Sequence, residues 1–72
     1  MIFEKVREII VDQLGVDEEE ITMETTFQDL GVDSLDLFQI VIEIEEAFNI
    51  KIENAESITS IKDAVEYIEA NQ

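Results

Sequence analysis

Three segments of the chain carry apolar residues at intervals of three and four, and this periodicity constrains the fold more than any other feature. Such intervals place the apolar side chains along one side of an α-helix. The sequence contains no proline and only two glycines, so it has few residues that break a helix. The apolar positions are Phe3, Val6, Ile9, Ile10 and Leu14 in the first helix, Leu37, Ile40, Val41, Ile44 and Phe48 in the second, and Ile61, Ala64, Val65 and Ile68 in the last.

The ends of these helices are marked by residues that commonly cap them. Gly15 follows the first helix, predicted over residues 3–14, at the position where glycine often ends a helix. The second helix is predicted over residues 34–48. Thr59 or Ser60 would cap the last helix, because a side-chain hydroxyl can accept a hydrogen bond from a free N–H of the first turn.

The segments between the helices differ in length and character. Residues 16–32 show no long period and predict a loop with at most one helical turn, anchored by apolar residues such as Ile21 and Phe27. Residues 54–57 have the composition of one short helical turn. We therefore predict an all-α fold, a small three- to four-helix bundle with a long loop between helices 1 and 2 and a short third helix, forming a single domain over residues 1–72.

Composition excludes several kinds of chemistry. The chain has no cysteine and no histidine, so it has no disulfide, no thiol nucleophile and no Ser-His-Asp triad. Paired carboxylates act as an acid and a base only when burial separates their pKa values, and most carboxylates here should be solvated. Asp29, Asp33 and Asp36 form at most a weak patch for divalent cations, because the glycine and late glutamate of a calcium loop are missing. No metal site is predicted.

The chain is strongly acidic. Nineteen Asp and Glu residues against four Lys and Arg give a formal net charge of −15. This charge opposes binding to nucleic acid or an anionic membrane surface, and it favours partners with basic docking surfaces. No apolar run approaches the length of a membrane span and the N-terminus does not have the pattern of a secretory leader, so a cytoplasmic location is the expectation.

Ser34 stands at the start of the second helix and has two interpretations. It can be an ordinary N-cap. If Asp33 caps the helix instead, Ser34 becomes the first helical residue, and its hydroxyl faces outward beside free N–H groups that suit a phosphate-bearing modification. The carboxylates of Asp33 and Asp36 would oppose that phosphate by repulsion, so these considerations alone favour the cap.

The second helix has more apolar residues than one core face requires. Leu35, Phe38 and Ile42 follow a separate helical stripe, rimmed by acidic residues. A contiguous apolar patch of this kind is typical of a transient docking surface. The alternative is that the long loop folds over the patch through Phe27 or Met23 and buries it.

The residues DSLD at 33–36, followed by the apolar run IVIEIEEAF, resemble the phosphopantetheine attachment motif of acyl carrier proteins. The resemblance extends over the whole chain, since VREIIVDQLGVDEEEIT is similar to their first helix and loop and SITSIKDAVEYIE to their last helix. It implies a carrier rather than an enzyme. The cofactor would be 4'-phosphopantetheine from coenzyme A, attached covalently to Ser34 with Asp33 and Leu35 beside it. Acyl intermediates would be carried as thioesters to the enzymes of fatty-acid biosynthesis.

The resemblance also implies partners and their contact residues. The partners would be a phosphopantetheinyl transferase (holo-acyl-carrier-protein synthase) and fatty-acid synthase enzymes such as ketosynthases, reductases, dehydratases and acyltransferases, with the carrier itself a monomer that binds neither nucleic acid nor membrane. The docking residues would be Leu35, Asp36, Phe38, Gln39, Ile42, Glu45 and Glu46. The pocket for the acyl chain would be lined by Ile40, Val41, Ile44, Ile52, Ala55, Ile58, Ala64 and Ile68.

The sequence departs from the usual pattern of this family at a few positions. Gln39 stands where glutamate is usual, Phe38 is bulkier than the usual valine, and the link after the second helix is shorter than in most relatives. These departures leave open a specialised carrier for polyketide or aminoacyl pathways. A third interpretation is an unmodified acidic helical adaptor in which Ser34 is only a cap.

Overall fold

The computed structural model describes all 72 residues, Met1–Gln72, and contains three α-helices. They are α1 (Ile2–Leu14), α2 (Ser34–Phe48) and α3 (Ile61–Ala70), and single 3₁₀ turns lie at Glu18–Glu20 and Ala55–Ser57. The predicted all-α bundle is confirmed, and the short third helix of the prediction is the 3₁₀ turn Ala55–Ser57. None of the helices is long and apolar enough to cross a lipid bilayer.

Both long helices end in a residue with left-handed backbone conformation. Gly15 has φ 70° after α1, and its N–H donates to the carbonyl oxygen of Val11 at 2.8 Å. Asn49 has φ 55° after α2, and its N–H donates to the carbonyl oxygen of Glu45. These bonds satisfy carbonyl groups that a helix end otherwise leaves free. The prediction that Gly15 ends α1 is confirmed.

The long loop between α1 and α2 is tied to the start of α3. The N–H groups of Ile61 and Lys62 donate to the carbonyl oxygens of Thr25 (2.9 Å) and Met23 (3.0 Å), and Thr26 forms an antiparallel bridge with Ser60. The loop therefore satisfies N–H groups at the first turn of α3, a role that the sequence did not predict. Ile21 and Phe27 are buried, as predicted for its apolar anchors.

The start of α3 has a polar cap built from two hydroxyl residues. Ser60 is the cap, since its Oγ accepts from the N–H of Asp63 at 3.1 Å. The Asp63 carboxylate in turn accepts from the N–H and the hydroxyl of Thr59, at 3.1 and 2.9 Å. The backbone and side-chain hydrogen bonds from Thr59 lower the pKa of Asp63 below its usual value, because they stabilise the charged form.

The core is aliphatic apart from one phenylalanine and has no buried polar side chain. Leu37 and Phe48, predicted for the core face of α2, are only half-buried and pack against its edge. The fourteen buried residues are Val6, Ile9, Ile10, Ile21, Phe27, Ile40, Val41, Ile44, Ile52, Ile58, Ile61, Ala64, Val65 and Ile68.

Candidate functional site

Asp33, not Ser34, caps α2. Asp33 has an extended backbone, and its Oδ1 accepts from the N–H of Asp36 at 2.9 Å. Its carbonyl oxygen accepts the first helical bond, from the N–H of Leu37 at 2.9 Å. Ser34 is therefore the first helical residue, and the interpretation of Ser34 as the cap is wrong.

Ser34 is exposed and its hydroxyl is free to react. The Ser34 Oγ takes part in none of the side-chain hydrogen bonds of the protein. The backbone N–H groups of Ser34 and Leu35 also have no hydrogen-bond acceptor in the protein. Gly31, with φ 74°, turns the loop just before the helix, and the N–H of Val32 donates to the carbonyl oxygen of Phe27. This turn fixes the segment that leads to Ser34, so the hydroxyl stands at a defined place at the end of α2.

A continuous apolar face follows Ser34 along α2. Leu35, Phe38 and Ile42 are 75%, 54% and 46% exposed. Phe27 belongs to the buried core and Met23 packs against it, so neither covers this face. The alternative, in which the long loop buries the patch, is therefore wrong, and the apolar stripe is exposed as predicted.

The polar residues predicted to rim this face differ in their surroundings. Asp36, Gln39 and Glu46 are exposed. Glu45 is half-buried, and its Oε2 accepts from the N–H of Ile52 at 2.8 Å. Glu45 therefore fastens the link between α2 and α3, residues 49–60, to α2, whereas Glu46 makes no such bond.

A depression with a volume of about 410 Å³ lies between α2 and the link that follows it. We call it the α2 depression. Of the residues predicted for the acyl pocket, only Val41, Ile52 and Ala55 line it, while Phe38 and Ile42 of the exposed face form further parts of its apolar wall. The remaining predicted pocket residues, Ile40, Ile44, Ile58, Ala64 and Ile68, are packed in the closed core. The polar lining of the α2 depression consists of Glu45, Glu53, Asn54 and Glu56.

Three aspartates near Ser34 do not form a cation site. No group of three or more acidic side chains in the structure is arranged to hold a metal ion. Asp29 Oδ2 accepts from the N–H of Thr26 at 3.3 Å, and Asp33 is occupied by the helix cap. The weak cation patch considered for Asp29, Asp33 and Asp36 is therefore not present as a cluster.

Comparison with known proteins identifies the family of this site. Residues 4–68 match the family model described as the phosphopantetheine attachment site. The acyl carrier protein of Streptococcus pyogenes serotype M1 is 56% identical over 68 residues, which cover 94% of this chain and 92% of that protein. The chain belongs to the acyl carrier protein family. The acyl carrier protein of Lactococcus lactis subsp. cremoris (strain MG1363) is 46% identical over 71 residues, covering 99% of this chain and 97% of that protein.

The fold of this chain is also similar to the crystal structure of an acyl carrier protein. The acyl carrier protein of Thermotoga maritima superposes with a TM-score of 0.81 at 32% identity, covering 93% of this chain and 81% of that chain. The protein is thus a carrier in fatty-acid synthesis rather than an enzyme, and its cofactor is 4'-phosphopantetheine. This membership argues against the unmodified adaptor.

The residues at the start of α2 fit this cofactor chemically. The exposed Ser34 hydroxyl can form a phosphodiester, and the two free N–H groups of the first turn can donate to its phosphate oxygens. The Asp33 and Asp36 carboxylates reduce that gain by repulsion. The cofactor supplies a terminal thiol, which this cysteine-free chain lacks.

Proposed function

We propose that Ser34 holds the 4'-phosphopantetheine arm and that residues 1–72 act as one carrier domain for acyl thioesters. The observation that carries the proposal is the exposed, unpaired hydroxyl of the first residue of α2, beside a cap already supplied by Asp33. In the attachment reaction the Ser34 oxygen bonds to the phosphorus next to the pantetheine. The pyrophosphate P–O bond of coenzyme A breaks, adenosine 3',5'-bisphosphate leaves, and the hydroxyl proton passes to a base of the transferase.

Partner enzymes would dock on the face of α2 next to this serine. Leu35, Phe38 and Ile42 would insert into apolar sites of a partner, while acidic residues such as Asp36 and Glu46 would meet its basic surface. Acidic steering with a small apolar contact suits brief association with many enzymes, because charge raises the association rate more than the affinity. The expected partners are a phosphopantetheinyl transferase and the ketosynthases, reductases, dehydratases and acyltransferases of fatty-acid synthesis. We place this activity in the cytoplasm, with the carrier as a monomer.

Intact-mass measurement tests the attachment directly. Incubation with coenzyme A, Mg²⁺ and a phosphopantetheinyl transferase should add the mass of one phosphopantetheine group. The Ser34→Ala variant should gain nothing. Ser57→Ala is the matched control, because Ser57 is also exposed and lies in a helical turn, and it should be modified like the unaltered protein. Addition to Ser34→Ala, or no addition with several transferases, would contradict the proposal.

Loading assays test the pathway. The holo form should accept malonyl and fatty acyl groups from the corresponding transferases and synthetases, in line with the acyl carrier relatives. Aminoacyl loading that exceeds fatty acyl loading would instead support a specialised carrier.

A further inference from the structure

Phe38 belongs both to the exposed face of α2 and to the wall of the α2 depression. The residue is 54% exposed, yet it lines the depression together with Val41, Ile42, Ile52 and Ala55. An aromatic ring left in water forgoes the stabilisation that burial would give it. A ring held at the edge of an apolar depression can recover that stabilisation when an apolar ligand lies against it.

The position of Phe38 along α2 connects it with Ser34. The two residues are four positions apart, so they share a helix face with a rise of about 6 Å between them. Side chains of a helix lean toward its N-terminus, which brings the Phe38 ring toward the turn that carries Ser34. The depression continues to Glu45, about 10 Å further along the axis. There the bond from the N–H of Ile52 to Glu45 joins the link to the helix. Along α2, Phe38 is therefore the lining residue of the depression nearest the point where the arm would be attached.

Two other depressions differ in chemistry or position. The groove between α1 and α2 is lined mostly by polar and charged side chains, among them Glu8, Asp12 and Glu43, and suits an apolar chain poorly. The other depression, of about 360 Å³, lies beside Phe27 and Thr59 near the start of α2. It is a competing site for the chain, and amide chemical shifts distinguish it from the α2 depression.

We propose that Phe38 contacts the acyl chain that this carrier holds. Its ring forms part of the wall of the α2 depression and shields a bound acyl chain and its thioester from water. The proposal rests on the proposed function, because it requires an acyl thioester on an arm at Ser34. It gives Phe38 a role toward the carried chain that is separate from any contact with partner enzymes.

Cleavage of the loaded thioester by hydroxylamine tests this role without a partner enzyme. The nitrogen attacks the thioester carbonyl, the C–S bond breaks, and a hydroxamate and the free thiol of the arm result. The hexanoyl form of the unaltered protein should react more slowly than free hexanoyl-pantetheine. The Phe38→Ala variant should react roughly fivefold faster than the unaltered protein. The factor corresponds to losing part of the apolar contact between the ring and the acyl chain.

Two further variants make the comparison specific. Val11→Ala removes apolar volume from α1, away from the depression, and should react like the unaltered protein. Phe38→Leu retains part of the apolar wall and should react at an intermediate rate. If Phe38→Ala does not melt cooperatively, Phe38→Leu is compared with the unaltered protein in its place. Each variant is loaded with excess transferase, so slower docking does not affect the result.

Amide chemical shifts locate the chain independently of the reaction rate. Hexanoyl loading should shift the amide resonances of Ile52 and Ala55 in the unaltered protein and in Val11→Ala, and less so in Phe38→Ala. Equal cleavage rates for Phe38→Ala and Val11→Ala, or shifts confined to Phe27 and Thr59, would overturn the inference. Cleavage of the unaltered protein at the rate of free hexanoyl-pantetheine would also overturn it and leave the proposed function standing. Failure of the arm to attach would instead contradict the proposed function.

Discussion

Removing the Glu45 carboxylate should destabilise the fold through the link that follows α2. The Glu45 Oε2 accepts from the N–H of Ile52 at 2.8 Å, and Ile52 is a core residue only 8% exposed. A hydrogen bond to a charged group contributes about 1.5–3 kcal/mol, and Glu45 is only half-buried, so solvent screening places the expected loss near the lower limit. We expect Glu45→Ala to lower the free energy of unfolding by about 1.5 kcal/mol.

Thermal melts followed by far-UV circular dichroism measure this loss. For a domain of this size, about 1.5 kcal/mol corresponds to a decrease in melting temperature of roughly 6–12 °C. Glu45→Gln keeps an oxygen acceptor and should retain most of the stability. Glu46→Ala is the matched control, because it removes the same charge from the neighbouring, exposed position without breaking a hydrogen bond. Equal melting temperatures for Glu45→Ala and Glu46→Ala would refute the role assigned to Glu45.

Three further perturbations test the caps, the link and the charge. Because hydrogen bonds lower the pKa of Asp63 in the folded protein, its charged form adds stability that is present above the pKa of the unfolded state and is lost as the pH falls through the pKa of the folded state. Urea unfolding should therefore give a larger free energy of unfolding for the unaltered protein than for Asp63→Ala at neutral pH, and this difference should narrow below pH 3.8. A difference that stays constant with pH would contradict this. The Tyr67 hydroxyl donates to the carbonyl oxygen of Lys51 and accepts from the N–H of Glu53, so Tyr67→Phe should lose about 1 kcal/mol in the same assay; no loss would mean that water replaces both bonds. With a net charge of −15 and few ion pairs, the melting temperature should rise with moderate salt or millimolar Mg²⁺, and a melt independent of ionic strength would show that self-repulsion is weak.

The helices and their core faces were predictable because both depend on short-range pattern. Periodicity placed α2 over the residues where the structure has it, and its buried positions Ile40, Val41 and Ile44 lie in the predicted stripe. The exposed stripe through Leu35 and Phe38 was predictable for the same reason, since no neighbouring element in the structure covers it.

Features that join distant segments were not predictable from pattern. The choice of Asp33 over Ser34 as the cap depends on backbone geometry, and either side chain suits the position. The bond between Glu45 and Ile52 spans seven residues and depends on how the link folds back. The role of Phe38 in the wall of the α2 depression likewise depends on where the link packs, and periodicity does not report that.

The central claim is that Ser34 carries the acyl group through its phosphopantetheine arm. Fragmentation mass spectrometry of the loaded protein tests it most directly, because it assigns the added mass to one residue. We predict that the acyl-phosphopantetheine mass lies on Ser34, the first residue of α2, and that Ser34→Ala carries none. Acyl-phosphopantetheine on any other residue, or its persistence in Ser34→Ala, would contradict the account.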